Sequence, residues 1–195
     1  RKFRNYFLLF MSMVFYAYGE PLFVGIMILE IVIGWLLGKK IELMQQQKKK
    51  KRWLYVGVFF FVAMLFVFKY LTFFNTQFSV FFSVSTPDID IALPIGISFF
   101  TFQLLSYIFD VYYGKAKAQS NILNVGLYIT LFPQLIAGPI VRYDVIEKQI
   151  LQRQENLQNF ADGMFRFIYG LGKKVLIANY MAMVADNIFS AGAPE

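Results

Sequence analysis

The chain has 195 residues, of which 58% are hydrophobic, 19% aromatic and only 16% charged, a composition too apolar for an ordinary soluble domain. It holds neither cysteine nor histidine, which excludes disulfides, thiolate nucleophiles and ligands, and an imidazole base or metal ligand. The formal net charge of +7 is gathered in a few short stretches, the pattern of membrane orientation, and no nucleic-acid-binding module accompanies it.

Arg1, Lys2 and Arg4 precede an uncharged run from Asn5 to Gly19, about 22 Å long if helical. Gly19-Glu20-Pro21 predicts a turn, and a second apolar run continues from Leu22 to Leu37, ahead of Lys39 and Lys40. Two spans in a hairpin fit this pattern. Glu30 lies inside the second span, where an acid must face protein or water; a helix-packing hydrogen bond is the simpler role, and a proton or substrate role the alternative. The block QQQKKKKR, Gln45 to Arg52, predicts a solvated loop retained on the cytoplasmic side, with an anionic-lipid or partner site as the alternative. Trp53 to Phe68 predicts a third span, closed outside by Lys69 and Tyr70. Asn75 to Asp90, with Pro87 and Asp88, then reads as an external connection lying partly on the membrane surface.

Ile91 to Phe109, bounded by Asp90 and Asp110, is uncharged for about 28 Å of helix and returns to the cytoplasm. Pro94 falls in its first turn, Gly96 and Ser98 permit close helix approach, and Gln103 and Ser106 present polar groups for interhelical hydrogen bonds. Asp110 is expected to pair with Lys115 or Lys117.

No charge occurs from Ala118 to Val141, yet Pro133, Gly138 and Pro139 fall in the second half of that stretch. Proline removes a donor and clashes with the carbonyl four residues back, so the helix should stop or kink near Phe132 and again before Pro139. A proline-kinked transmembrane helix is the plain alternative. A full crossing would place Arg142, Lys148, Arg153, Arg166, Lys173 and Lys174 outside, against the charge rule. A segment that turns at Pro133 and comes back at Pro139 keeps them inside, with Lys48 and Lys173 cytoplasmic and Asp88 external. From 156 to 189, Asn159 is expected to cap a helix whose Phe160, Met164, Phe167, Ile168, Leu171 and Val175 share one face, lying along the interface or against the bundle. The expected fold is therefore all-α: a polytopic transmembrane helix bundle with a broken, re-entrant segment and an interfacial amphipathic helix, in one domain without internal repeats.

Taken alone, these residues name no reaction, for there is no phosphate loop, metal-ligand cluster or hydrolase triad. Three stretches, FYAYGEP (Phe15 to Pro21), LPIGISFFTFQLLSYIFDVYYG (Leu93 to Gly114) and LFPQLIAGPIVRY (Leu131 to Tyr143), together resemble the membrane-bound O-acyltransferase family, most of all its bacterial alginate O-acetyltransferase branch. The resemblance implies that residues 1–195 are the amino-terminal part of a single multi-pass domain in a bacterial cytoplasmic membrane. It implies an enzyme that takes an acyl group from a cytoplasmic donor, acetyl-CoA or similar and not a resident cofactor, and passes it to a polysaccharide or an extracytoplasmic partner acetyltransferase. The family's catalytic histidine is expected downstream, so no catalytic or metal-binding residue is assigned here and the piece alone is expected to be inactive. The acyl-path or scaffold candidates are Pro133, Gln134, Gly138, Pro139, Arg142 and Tyr143. Gln134 offers a donor and an acceptor at the break, Arg142 suits an anionic donor group or lipid phosphate, and Tyr143 suits an interfacial anchor. A D-alanyl transferase of teichoic acids and a secondary transporter are the competing readings.

Overall fold

The uncharged runs fold as helices, and no strand occurs among the residues that the computed structural model describes, 2–82, 91–135, 138, 140–152 and 156–191. The chain divides into two units, Arg1–Gln152 and Arg153–Glu195.

In the first unit, α1 (Lys2–Gly19) and α2 (Val24–Leu43) are joined by the turn expected at Glu20-Pro21, where the Glu20 N–H bonds the Tyr16 carbonyl at 2.8 Å. The two helices do not form a tight hairpin. α1 packs mainly along α6 (Ile122–Thr130), and α2 mainly along α5 (Ile97–Tyr112) and α3 (Gln47–Leu65).

The basic block is not a loop. It forms the first turns of α3, with Gln46 as the extended residue before it. Cations at a helix N-terminus oppose the macrodipole, and the first turn contains no acid to compensate. Two of these cations lie over aromatic rings instead: Lys50 Nζ is 5.8 Å from the centroid of Tyr112, and Lys51 Nζ is 5.5 Å from that of Tyr55. Nor does this helix stop at Lys69. It passes through a π-helical turn, Phe66–Tyr70, into α4 (Leu71–Phe82), so Asn75 to Phe82 is helix and not connection. No glycine or proline occurs from Val58 to Phe82; Lys69 interrupts the apolar run but, lying inside the π-helical turn, does not end the helix. The expectations for Pro87, Asp88 and Asp90 lie outside the described residues. Gln47–Phe82, 36 residues or about 54 Å, is among the described residues the one helix long and apolar enough to cross a membrane.

α5 begins six residues later than the uncharged run. Gly96 precedes it with φ +80°, a left-handed conformation that suits glycine. Pro94 therefore stands before the helix, its carbonyl accepting from Ile97 N–H at 3.2 Å.

Glycine also sets how closely the three central helices approach. A Cβ added at Gly34 would lie 2.6 Å from Leu104 Cδ2, at Gly38 2.6–2.8 Å from the Tyr107 ring and hydroxyl, and at Gly57 2.8 Å from Ile108 Cδ1. Gly34 and Gly38 are thus a small-xxx-small seam on α2 that admits the side chains of α5. Beside it the buried Glu30 accepts a hydrogen bond from Thr101 Oγ1 at 3.0 Å, joining α2 to α5 as the packing role requires. Gln103 does not behave as expected: it is buried, but neither amide atom has a hydrogen-bond partner.

The second unit is a single run of helix, α9 (Leu157–Lys173), a π-helical turn (Lys174–Ala178) and α10 (Asn179–Ala191). Asn156, not Asn159, is its cap, with Oδ1 accepting from Asn159 N–H at 2.6 Å. The apolar positions from Phe160 to Leu171 keep one face at the 3.6-residue period.

Candidate functional site

The uncharged stretch after Ala118 is broken as its prolines demand. Asn121 caps α6, its side chain accepting from Leu123 N–H at 3.0 Å, and the helix ends at Thr130 after nine residues. Leu131 leaves helical geometry, one residue earlier than Phe132, and Pro133 then lies in the first turn of the four-residue α7 (Phe132–Leu135), where its missing donor costs least. Ending α6 there strips the Tyr128 carbonyl of the Phe132 N–H that would meet it in an unbroken helix. Gln134 replaces that partner, donating from Nε2 to the Tyr128 carbonyl at 2.6 Å.

The chain then turns back tightly. A Cβ on Gly138 would lie 2.4 Å from Gln134 Cα and 3.0 Å from the Pro133 carbonyl oxygen, so only glycine fits without moving backbone. Pro139 lies outside the described residues. Tyr128 Oη donates to the Val141 carbonyl at 2.6 Å, fixing the returning strand of chain to the departing helix. α8 (Tyr143–Gln152) follows. The chain thereby comes back to the end from which it left: Arg142 stands 3.6 Å from Asp110 at the end of α5, and Tyr143 bonds Gln119 just ahead of α6.

Tyr143 is fully buried and is not an exposed anchor. Its ring packs edge-on between Tyr107 and Tyr128, with centroids at 4.8 and 5.3 Å. Burial raises its phenol above the ordinary range, the Gln119 hydrogen bond opposing, so it serves as a neutral hydroxyl and not as a phenolate. Gln119 holds this cluster together. Its backbone N–H donates to Tyr107 Oη at 3.0 Å, its Nε2 donates to Tyr143 Oη at 3.0 Å, and its carbonyl accepts Trp35 Nε1 at 2.9 Å. Nothing in the sequence marked Gln119; its only signal was an uncharged polar residue between the lysine-bearing turn and the Asn121 cap.

Arg142 does not offer an unengaged guanidinium. Its Nη2 bridges Asp144 at 2.5 Å and Asp110 at 3.6 Å, and among the described residues no ion pair joins Asp110 to Lys115 or Lys117. The Lys115 and Ala116 N–H groups instead cap the Asp110 backbone carbonyl at 2.9 and 3.3 Å. Asp110 Oδ2 and Asp144 Oδ1 remain buried without a hydrogen-bond partner.

The other end of the broken segment gathers the remaining stretches. Phe15 packs on Phe132 with ring centroids at 5.9 Å, Tyr16 Oη donates to the Ile95 carbonyl at 3.1 Å, and the Leu135 carbonyl oxygen lies 3.1 Å from where a Gly96 Cβ would stand. FYAYGEP, LPIGIS and LFPQL, far apart in sequence, therefore meet around one break in the backbone. These contacts fix the broken segment against α1 and the start of α5. The arrangement contains no group of three or more acidic residues able to hold a metal ion among the described residues, and Gln119, Gln134, Tyr128 and Tyr143 are engaged with neighbouring protein groups.

Comparison with known proteins supplies the context. A probable alginate O-acetylase AlgI from Azotobacter vinelandii is 37% identical over 201 residues, covering 99% of this chain and 40% of that protein. Its counterpart in Pseudomonas aeruginosa is 36% identical, with 99% and 38% covered. A peptidoglycan O-acetyltransferase from Helicobacter pylori is 31% identical, with 94% and 40% covered. The chain thus spans about two fifths of the length of the curated relatives it matches. No family model and no solved structure matches it. Over nearly its whole length the chain is thus similar to proteins named as O-acetylases and O-acetyltransferases, in keeping with its resemblance to the membrane-bound O-acyltransferase family.

Proposed function

We propose that this chain is the amino-terminal part of a membrane-bound O-acyltransferase that acetylates an extracellular polysaccharide, and that the broken segment lines the path of the acyl group through the membrane. The observation that carries this reading is the fold-back between Asn121 and Tyr143. α6 has nine residues, about 14 Å of helix against a hydrocarbon core of about 30 Å, and irregular backbone at such a depth is tolerated where it is packed in protein or borders a cavity. Large aromatic side chains exposed on α1, α3 and α4, among them Phe3, Phe59 and Phe81 at 80, 76 and 82%, suit a lipid surround better than water. In this reading the chain is polytopic, the segment is re-entrant, and the end carrying Arg142, Tyr143 and the start of α3 faces the cytoplasm in keeping with its charge.

Pro133, Gln134, Gly138, Pro139 and Tyr143 then act as scaffold: they hold the break in one conformation. Arg142 holds the cytoplasmic end through its two carboxylates. The donor is a cytoplasmic acyl carrier such as acetyl-CoA. Activation of the acceptor hydroxyl falls to the remainder of the complete protein, because this chain holds no histidine to act as the base. The relative from Helicobacter pylori favours a second acceptor, peptidoglycan.

Deleting the gene for the complete protein and measuring ester-linked acetate on secreted polysaccharide and, separately, on muropeptides tests both acceptors. Acetate should fall on one of them and return with the complete gene. Residues 1–195 expressed alone should insert in the membrane and restore none. Unchanged acetate on both polymers after deletion would refute the activity, and full restoration by the piece would refute the division of labour.

A further inference from the structure

The cations at the start of α3 do not form one diffuse cloud. Lys50 lies over Tyr112, whereas Lys48, Lys51 and Arg52 line a shallow surface groove of about 540 Å³ together with Tyr55, Val56 and Phe59. Positions 48, 51, 52, 55, 56 and 59 are related to one another by spacings of three and four and so form a single stripe of the helix. That stripe changes character along its axis. Its first 6 Å or so are cationic, and the following 10 Å or so are apolar. Tyr55, Val56 and Phe59 are all exposed, and Lys51 Nζ lies 5.5 Å from the Tyr55 ring centroid, where the two halves join.

We propose that this stripe is a binding site for one glycerophospholipid with a net negative headgroup, drawn from the leaflet in which α3 begins. Lys48, Lys51 and Arg52 take the phosphate and its anionic surroundings, while Tyr55, Val56 and Phe59 lie along an acyl chain. Charge complementarity and the order of the two halves select this occupant. A zwitterionic headgroup brings an ammonium against three cations, free phosphate leaves the apolar half unused, and a nucleic acid needs a longer run of cations than about 6 Å. The inference rests on α3 crossing the bilayer as proposed above.

The test uses the complete protein in nanodiscs of phosphatidylcholine with increasing phosphatidylglycerol, reading co-purified lipid by mass spectrometry. The wild type should retain phosphatidylglycerol in preference. A basic side chain near an anionic surface contributes roughly fivefold, so K48Q/K51Q/R52Q should lower that enrichment at least tenfold, whereas neutralising Lys173 and Lys174 should leave it within about twofold. A photoreactive residue in place of Phe59 should give a lipid adduct in an otherwise unaltered protein, which keeps the proposal testable if the triple variant is unstable. Enrichment that survives the triple substitution, competition by inorganic phosphate, or a crosslink from position 59 to another part of the protein would each overturn the site. Failure of the wild type to enter nanodiscs would overturn the membrane reading itself.

Discussion

Gln134 is the most exacting place to perturb the break. Its Nε2 supplies, at 2.6 Å, the hydrogen bond that the Tyr128 carbonyl lost when α6 ended at Thr130. Leucine at this position keeps most of the volume of a side chain that is only 6% exposed, so little cavity cost enters and the change isolates the hydrogen bond. Leaving a buried carbonyl unpaired costs about 1–3 kcal/mol, and with about 1.4 kcal/mol per factor of ten a loss near 2 kcal/mol makes local opening of the segment roughly thirtyfold more frequent. Hydrogen exchange of the detergent-solubilised complete protein, read on a peptide covering 128–143, should therefore quicken on that order in Gln134→Leu, with peptides from α2 and α3 unchanged. Exchange within about twofold of the wild type would refute the claim that this side chain closes the break, and full acetyl transfer by a variant that does open would refute the link between the closed break and function.

Gly138→Ala places a methyl group 2.4 Å from Gln134 Cα and should abolish acetyl transfer while leaving membrane insertion intact; Gly170→Ala, where an added Cβ meets nothing within 4 Å, should leave both unchanged. Gly38→Ala drives a methyl into the Tyr107 ring, itself held by Gln119 and Tyr143, and overpacking of this kind costs about 1–3 kcal/mol; Gly34→Ala clashes with the flexible end of Leu104 and reaches Phe61 only at an ordinary 3.4 Å, so thermal denaturation should show the larger loss at position 38. Burial raises the Glu147 carboxyl above the ordinary range, Lys117 opposing and Glu42 adding. A raised folded value stabilises the protein below the unfolded value of about 4.3, and that contribution is lost as pH rises through the folded value. Glu147→Gln should accordingly be slightly more stable than the wild type at neutral pH, and the difference should close as the pH is lowered towards about 4. Single cysteines at 48 and 148, introduced into a chain that has none, should both resist an impermeant thiol reagent added outside; external labelling at 148 would refute re-entry.

What the sequence made legible was the part written in backbone chemistry. Pro133 and Gly138 mark the break because one lacks a donor and the other lacks a Cβ, and Glu30 had to find a partner because an isolated carboxylate inside apolar helices is costly. The failures share a different cause. Charge suggests a boundary at Lys69 and at the Lys48 to Arg52 block, but charge changes solvation and does not by itself end a helix, so α3 begins before the block and the helix continues past Lys69. Gly96 was read as a packing residue because nothing local reveals a positive φ. Tyr143 and Gln119 were misjudged or missed since their roles depend on Tyr107 and Trp35, residues 36 and 84 positions away, and such pairings are set by tertiary packing alone. Asn156 and Asn159 are equally good caps by composition, and the choice between them is a shift of three residues in where the helix begins.

The wide turn at Phe66–Tyr70, closed by Leu71 N–H on the Phe66 carbonyl, holds one residue more than an α-helical turn of the same rise. Since each residue advances an α-helix by about 100°, that extra residue swings Phe73, Phe74, Phe78 and Phe81 about a quarter turn from the rows that α3 would otherwise have continued. Deleting one residue here would leave length, hydropathy and helicity almost untouched, yet a different row of phenylalanines would face each neighbour. Among relatives of this chain, a one-residue gap aligned to positions 66–70 is therefore a change of facing: the same rod, rotated beyond that point.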